Sequence, residues 1–184
     1  EMRNYLLRFL KHKFLTFDYS PVMLYFLGVH GSGKDTFVTL LESIITNVAR
    51  PTVKEFLEPY NGWMLDTYFV QLDEYGNQLT RQGDRDEALG ILKAYTGKAT
   101  INIRVMRTDG YSYNHHVTFI STANKNALVL EDGDRRIAYF NTPNVLAEQD
   151  WVLSLGGISA AYNRIMSEVV DFCYYLATEV EDMT

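Results

Sequence analysis

Tyr25-Phe26-Leu27-Gly28-Val29-His30-Gly31-Ser32-Gly33-Lys34-Asp35-Thr36 joins a short apolar run, Met23 to Leu27, to a run of helical spacing that begins at Thr36. Gly28 and Gly33-Lys34 stand at the G-x-x-x-x-G-K spacing of a phosphate-binding loop. Glycines let successive backbone N–H groups turn inward around a phosphate with no Cβ in the way. A helix that starts directly afterwards points its positive dipole end at the same anion. The loop, with His30, Gly31 and Ser32 inside it, is therefore expected to cradle a nucleotide, and Lys34 to reach its β- and γ-phosphates. The hydroxyl residue that normally follows the lysine and holds Mg²⁺ is here Asp35, with Thr36 one place later. Either Asp35 serves the metal as a carboxylate or Thr36 takes over after a small shift. Beside phosphate Asp35 would also weaken binding, and it is an acceptable helix N-cap in a plain glycine turn.

Composition sets wide bounds around this loop. At 184 residues the chain reads as one domain with a sizeable core. A hydrophobic content of 47% with 22% charged residues is ordinary for a globular protein. No apolar run approaches the roughly 20 residues that cross a bilayer, and no signal peptide is evident, so neither a membrane partner nor export is expected. Cys173 is the only cysteine, which excludes an internal disulfide and fits a reducing compartment, a cytoplasmic one. A net charge of −6 argues against a broadly basic surface, although a ring can confine positive charge to a narrow channel. Because the chain begins at Glu1, it is expected to be part of a longer protein.

The periodicity of the chain predicts a helix over 2–15, a buried strand from Met23 to Leu27, and a helix from about Thr36 to Val48. Tyr68-Phe69-Val70-Gln71-Leu72-Asp73-Glu74 is a β-rich run ending in two acids. Parallel strands deliver such side chains at their carboxyl ends, where ligands bind in open α/β sheets. Asp73 is expected to organise Mg²⁺ through water, and Glu74 to orient and deprotonate the attacking water. A polar loop over 77–86 and a helix from Glu87 to Tyr95 follow. Thr100 to Met106 alternates with period two, Arg107-Thr108-Asp109-Gly110 reads as a hairpin turn, and Tyr111 to Tyr113 returns. Arg104, Arg107, Tyr111 and Tyr113 put cations and rings on that hairpin, the mixture that single-strand binders use. Val117 to Ser121 is a further strand, ending at Thr122-Ala123-Asn124, where an amide can hold a water and a γ-phosphate together. Arg135 and Arg136 then precede a short strand, and either pair with Asp132 and Asp134 or reach a neighbour's γ-phosphate. A single helix over 158–180 carries an apolar stripe (Ile158, Ala161, Ile165, Val169, Phe172, Leu176) expected to lie in the core. His115 and His116 are read as structural.

The order of these motifs resembles superfamily 3 helicases of viruses, phages and plasmids, in particular the helicase domain at the C-terminal end of phage-type primase-polymerases. The resemblance covers about residues 20–142. It implies an α/β fold: a P-loop NTPase, an AAA+-like three-layer sandwich with a central mostly parallel sheet, an inserted β-hairpin and flanking helices. The chain then divides into an N-terminal helix and connector (1–20), an ATPase core (21–145) and a C-terminal helical segment (146–184). The implied activity is ATP-dependent DNA translocation by a hexameric ring, with other replication domains on the same longer chain, in a host cytoplasm. ATP and Mg²⁺ would sit between protomers, with Lys34, Asp73, Glu74 and the sensor Asn124 on one side. Arg136, or Arg135, would reach in from the neighbour as the finger. Single-stranded DNA would meet Lys98, Arg104, Arg107 and Tyr111. Two departures stand out: Asp35 after the lysine, and Ala123 between Thr122 and Asn124. Two other classes stay open: a nucleotide or nucleoside kinase, which needs an acceptor pocket, and a hydrolysis-deficient oligomerisation or DNA-clamp module.

Overall fold

Five apolar runs of the sequence become the strands of one sheet. The structure, a computed structural model, describes residues 1–124 and 134–183. In chain order its elements are α1 (Met2–Thr16), β1 (Met23–Gly28), α2 (Lys34–Ile44), β2 (Val48–Ala49), α3 (Val53–Leu57), β3 (Phe69–Asp73), α4 (Tyr75–Gln78) and α5 (Gln82–Thr96). They continue with β4 (Thr100–Ile103), β5 (Tyr111–Asn114), β6 (Thr118–Ala123), β7 (Ile137–Thr142), α6 (Asp150–Ser154), α7 (Ile158–Ser167) and α8 (Val169–Thr178). The chain falls into two compact units, residues 19–28 with 47–142, and residues 1–18 with 29–46 and 143–184.

The first of these units holds the sheet, with strands in the order β2-β3-β6-β1-β7, every neighbouring pair parallel. β6 therefore separates β1 from β3. Phe26 and Asp73 both pair with Thr122, which places the carboxyl ends of three strands in one row. One sheet face is covered by a core that includes Tyr25, Phe56, Leu72, Tyr75, Leu92 and Phe119. Truncating such a buried ring to alanine costs about 3–5 kcal/mol. β4 and β5 form a separate antiparallel hairpin inserted between α5 and β6. The α/β fold with a central parallel sheet and an inserted hairpin is as the resemblance implies. In the second unit α1 and α2 pack on α8, and α2 also on α7, burying Leu10, Val38, Leu41, Ala161 and Leu176.

Several element boundaries differ from expectation. Helix α2 begins two residues early and stops at Ile44, because the β-branched run Ile44, Ile45, Thr46 and Val48 favours extended backbone; Val48 pairs with Phe69 in β2. Asp35 consequently lies inside the first turn, and Gly33 is the N-cap. Helix α3 was not anticipated, although Thr52 and Glu55 form a capping box at its start, each bonding the other's backbone N–H. Residues 82–86 are helix, not loop: Gln82 Nε2 donates to Asp86 Oδ1 at 2.8 Å, Asp84 sits in the first turn, and Arg85 Nε donates to the Leu79 carbonyl at 2.6 Å. Polar side chains hold that turn, so no apolar period betrays it.

The hairpin is also shorter in strand and longer in loop than its alternation suggests. Ile103 pairs with Tyr111, and residues 104–110 connect them. The chain leaves the ladder because Asn61 grips Arg104 on both sides: Asn61 N–H donates to the Arg104 carbonyl at 3.1 Å, and Arg104 N–H to Asn61 Oδ1 at 2.7 Å. The C-terminal helix breaks at Glu168 into α7 and α8, where the Glu168 N–H shares the carbonyls of Arg164 and Ile165. Its stripe is core only in part: Ala161 and Leu176 are buried, while Ile158 is exposed.

Candidate functional site

Gly28 ends β1 opposite Thr142, its Cα partner on β7. A Cβ on Gly28 would stand 2.0 Å from the Thr142 carbonyl oxygen and 2.1 Å from Oγ1, and Thr142 Oγ1 donates to the Leu27 carbonyl at 3.2 Å. The first glycine of the loop is thus demanded by the close approach of β7. Gly33, at φ 89, is demanded by the turn into α2. It makes no side-chain cap, and the start of a helix is where a phosphate binds. Lys34 is 9% exposed and folds back over the loop, donating to the Val29 carbonyl at 2.9 Å and to Ser32 Oγ at 3.2 Å. Leu146 N–H donates to the Gly31 carbonyl at 2.9 Å, pinning the loop from outside. His30 and Asp35 are exposed, and Thr36 is half-buried.

The acid pair is built differently. Asp73 is the last residue of β3, and Glu74 turns out of the strand at φ 51, a left-handed conformation that costs a non-glycine residue about 1 kcal/mol or more. Glu74 N–H donates to the Thr122 carbonyl at 2.8 Å, which holds the turn in place. The Glu74 carboxylate accepts the Asn124 backbone N–H at 2.9 Å and the Asn77 side-chain amide. Asp73 Oδ1 accepts Thr122 Oγ1 at 2.6 Å. Behind them the fully buried Tyr25 hydroxyl finds no hydrogen-bond partner among the described residues. Burial first, then the neighbouring Tyr139 and Glu74, push its pKa up to about 12, so it stays neutral beside the carboxylate. The structure thus brings Asp73, Glu74 and Asn124 together at the carboxyl ends of β3 and β6.

Asp73 is exposed and only one of its oxygens is shown bonded, which suits a hard cation held through oxygen and water. No group of three or more His, Cys, Asp and Glu that could hold a metal occurs among the described residues. The two bracing residues, Thr122 and Asn77, carry no mark in the sequence as such. The strand register, which sets Thr122 opposite Asp73, is what reveals the first of them.

Arg135 and Arg136 lie at the other end of the sheet, directly before β7, whose Ile137 pairs with Met23. The Arg136 carbonyl accepts the Met23 N–H at 2.7 Å, and its guanidinium donates to Asp134 Oδ1 at 3.4 Å. Arg135 is exposed, and Asp132 lies outside the described residues. Arg136 stands six positions before Thr142, the last residue of β7, roughly 20 Å at about 3.3 Å per residue, farther than an arginine side chain reaches. Lys98 and Arg104 flank β4, Arg107 adopts φ 65 in the hairpin connection, and Tyr111 is 48% exposed at the start of β5. Buried His115 braces the strand end: its Nδ1 accepts the Val117 N–H at 3.2 Å, and Nε2 donates to the Lys98 carbonyl at 3.1 Å.

Residues 26–136 match the family described as a family of unknown function, DUF5906. The chain belongs to that family. The matched stretch runs from β1 through the loop, the acid pair, the hairpin and Asn124 to Arg136, and leaves out α1, β7 and α6–α8. This member is homologous to the DNA primase-polymerase of Nitratiruptor phage NrS-1, with 26% identity over 160 residues, 83% of this chain and 21% of the phage protein. Among solved structures it shares the fold of the apo NrS-1 C-terminal region, at 22% identity and a TM-score of 0.80 over 96% of this chain and 42% of that one. The A form of the same region gives a TM-score of 0.79, over 97% and 41%. The chain therefore spans about a fifth of the phage protein and two fifths of its C-terminal region. No helix among the described residues is long and apolar enough to cross a membrane.

Proposed function

We propose that this chain is the motor module of a replication protein: a P-loop ATPase that assembles as a ring, hydrolyses ATP with Mg²⁺ between protomers and moves single-stranded DNA through the centre. The observation that carries the reading is the acid turn, where a strained Glu74 is braced on two sides by Asn124 N–H and Asn77. Holding a carboxylate in place at such a cost fits a group that must meet a water in one geometry. Homology to a DNA primase-polymerase supports the replication setting.

In this reading Glu74 takes the proton of a water whose oxygen bonds to the γ-phosphorus, while the bond from that phosphorus to the bridging oxygen of ADP breaks. Lys34 leaves its own loop acceptors to balance the phosphate charge. Asp73, one oxygen fixed by Thr122, would hold the metal through water with the other. Mg²⁺, when bound, neutralises charge on the β- and γ-phosphates. Arg136 serves the neighbouring protomer, exchanging Asp134 for that protomer's γ-phosphate. Lys98, Arg104, Arg107 and Tyr111 of the hairpin meet the strand.

The test is ATP hydrolysis as a function of protein concentration, with and without single-stranded DNA, against Lys34→Ala. A rate per protomer that climbs with concentration and rises further with DNA is expected. A rate flat in both overturns the composite site, and phosphate transfer to a nucleoside would put a kinase in its place.

A further inference from the structure

The C-terminal end of α5, strand β4 and the turn at 59–61 border an open hollow of about 590 Å³. The charged part of its lining has one sign: Lys98 and Arg104 face it and no carboxylate does. Among the described residues neither of these side chains forms an ion pair or donates a hydrogen bond. In a chain with 23 acidic against 17 basic residues, two neighbouring cations left without an acid are not what composition produces.

The wall beside them is set before any ligand arrives. Asn61, 4% exposed, donates through Nδ2 to the Asn102 carbonyl at 3.0 Å and to the Tyr95 hydroxyl at 3.2 Å. Because the amide is the donor, the Tyr95 oxygen accepts, and its own proton remains to be given away. The Tyr95 ring cannot turn aside: it stacks on Phe119, with centroids 6.1 Å apart and planes at 6°, and Trp63 meets it edge-on. Arg104 stands close enough to Tyr95 to act on its titration. Pro59, Ala94 and Ile101 add apolar surface to the lining.

Size and chemistry together define the ligand. An inorganic phosphate fills only a small part of such a space, whereas small-molecule sites run to about 300–1,000 Å³. Two cations and a hydroxyl donor, together with apolar lining, suit an anion joined to a flat ring. We propose that this hollow binds one nucleoside monophosphate unit, its phosphate held by Lys98, Arg104 and the Tyr95 hydroxyl and its base against Pro59, Ala94 and Ile101. The unit comes from a single strand or from free nucleotide. The inference rests on the strand-binding reading above only for the first of these sources.

The full chain is titrated with a fluorescent oligothymidylate by anisotropy, and with thymidine monophosphate and inorganic phosphate by calorimetry. Tyr95→Phe keeps the ring and its stack. Lys98→Gln with Arg104→Gln removes both charges, and Lys54→Gln, on exposed α3, is the charge control. A hydrogen bond to a charged group supports an expected loss of about tenfold in Tyr95→Phe, and removing both cations about a hundredfold, with Lys54→Gln changing little. Such losses on the oligonucleotide alone identify a strand as the source, and losses on the mononucleotide alone a free nucleotide. Unchanged binding in Tyr95→Phe and the double variant overturns the proposal, as does inorganic phosphate binding as tightly as the mononucleotide. Strand binding that falls in Arg107→Ala but in neither of those variants removes the hollow while leaving the translocation reading intact.

Discussion

The two ends of the parallel sheet are made of different material. At the carboxyl end, Asp73, Glu74 and Asn124 are polar groups that bond across from β3 to β6, Asp73 to the Thr122 hydroxyl and Glu74 to the Asn124 backbone N–H. At the amino end, Met23 and Ile137 pair as apolar residues, and the only charged couple described there, Asp134 and Arg136, is local in sequence. In a parallel sheet, whatever follows a strand arrives at one edge and whatever precedes it at the other. A residue's place before or after its strand therefore decides which partner it can have. Glu74 and Asn124 follow theirs and meet across β3 and β6, whereas Arg136 precedes β7 and pairs with Asp134 two positions away.

The largest expected effect breaks the contrast at the amino end. Arg136→Ala is expected to lower ATP hydrolysis by about 10³–10⁵-fold with nucleotide binding nearly kept, as removal of a trans finger does. Mixing it with Lys34→Ala should restore part of the rate, since some interfaces then hold both intact residues. No recovery on mixing would put the arginine to work in its own chain. At the carboxyl end Glu74→Gln should cost about 10²–10⁴-fold in hydrolysis while nucleotide affinity stays within a few-fold. An unchanged rate there would hand the water to another group.

Thr122→Val sharpens the same end more gently. Freeing the Asp73 oxygen removes one charge-assisted hydrogen bond, and about tenfold more Mg²⁺ should be needed for half-maximal hydrolysis. An unaltered Mg²⁺ requirement would separate Asp73 from the metal.

The smallest effect leaves both ends untouched. Lys13, 2% exposed in the unit without the sheet, donates to the Asp18 carbonyl at 2.6 Å; burial lowers its pKa to about 7, against a partial opposing pull from Asp18. Its unfolded value is near 10.5, so between about pH 7 and 10.5 the unfolded chain binds more protons than the folded one. Stability should then rise with pH across that window. Denaturant midpoints at pH 7 and pH 9 check the sign, and Lys13→Met should flatten this part of the slope.

Much of the fold was legible because it is written in short periods. The apolar runs that end in Gly28, in Asp73-Glu74 and in Ala123-Asn124 are buried parallel strands, and such strands announce themselves by composition alone. The turn of α5 over 82–86 was hidden because polar side chains hold it, and α3 because its capping box stands before only five helical residues. The extent of the hairpin escapes the sequence for another reason. Alternation continues to Met106, but Asn61, more than forty positions earlier, takes the backbone of Arg104 away from the ladder. A contact across that distance leaves no local period to read.

What the sequence determined by itself about this protein is the inventory: a glycine loop with a lysine, an acid pair after one strand, an asparagine after another, and arginines before a third. Spacing suffices for these, because a loop or strand end needs only its neighbours in the chain. Tertiary structure alone decided who holds whom. Thr122 meets Asp73, and Asn124 N–H meets Glu74, because β6 inserts beside β3 from some fifty positions away. The register of that insertion is set by burial on both sheet faces, and no single segment of the chain contains it.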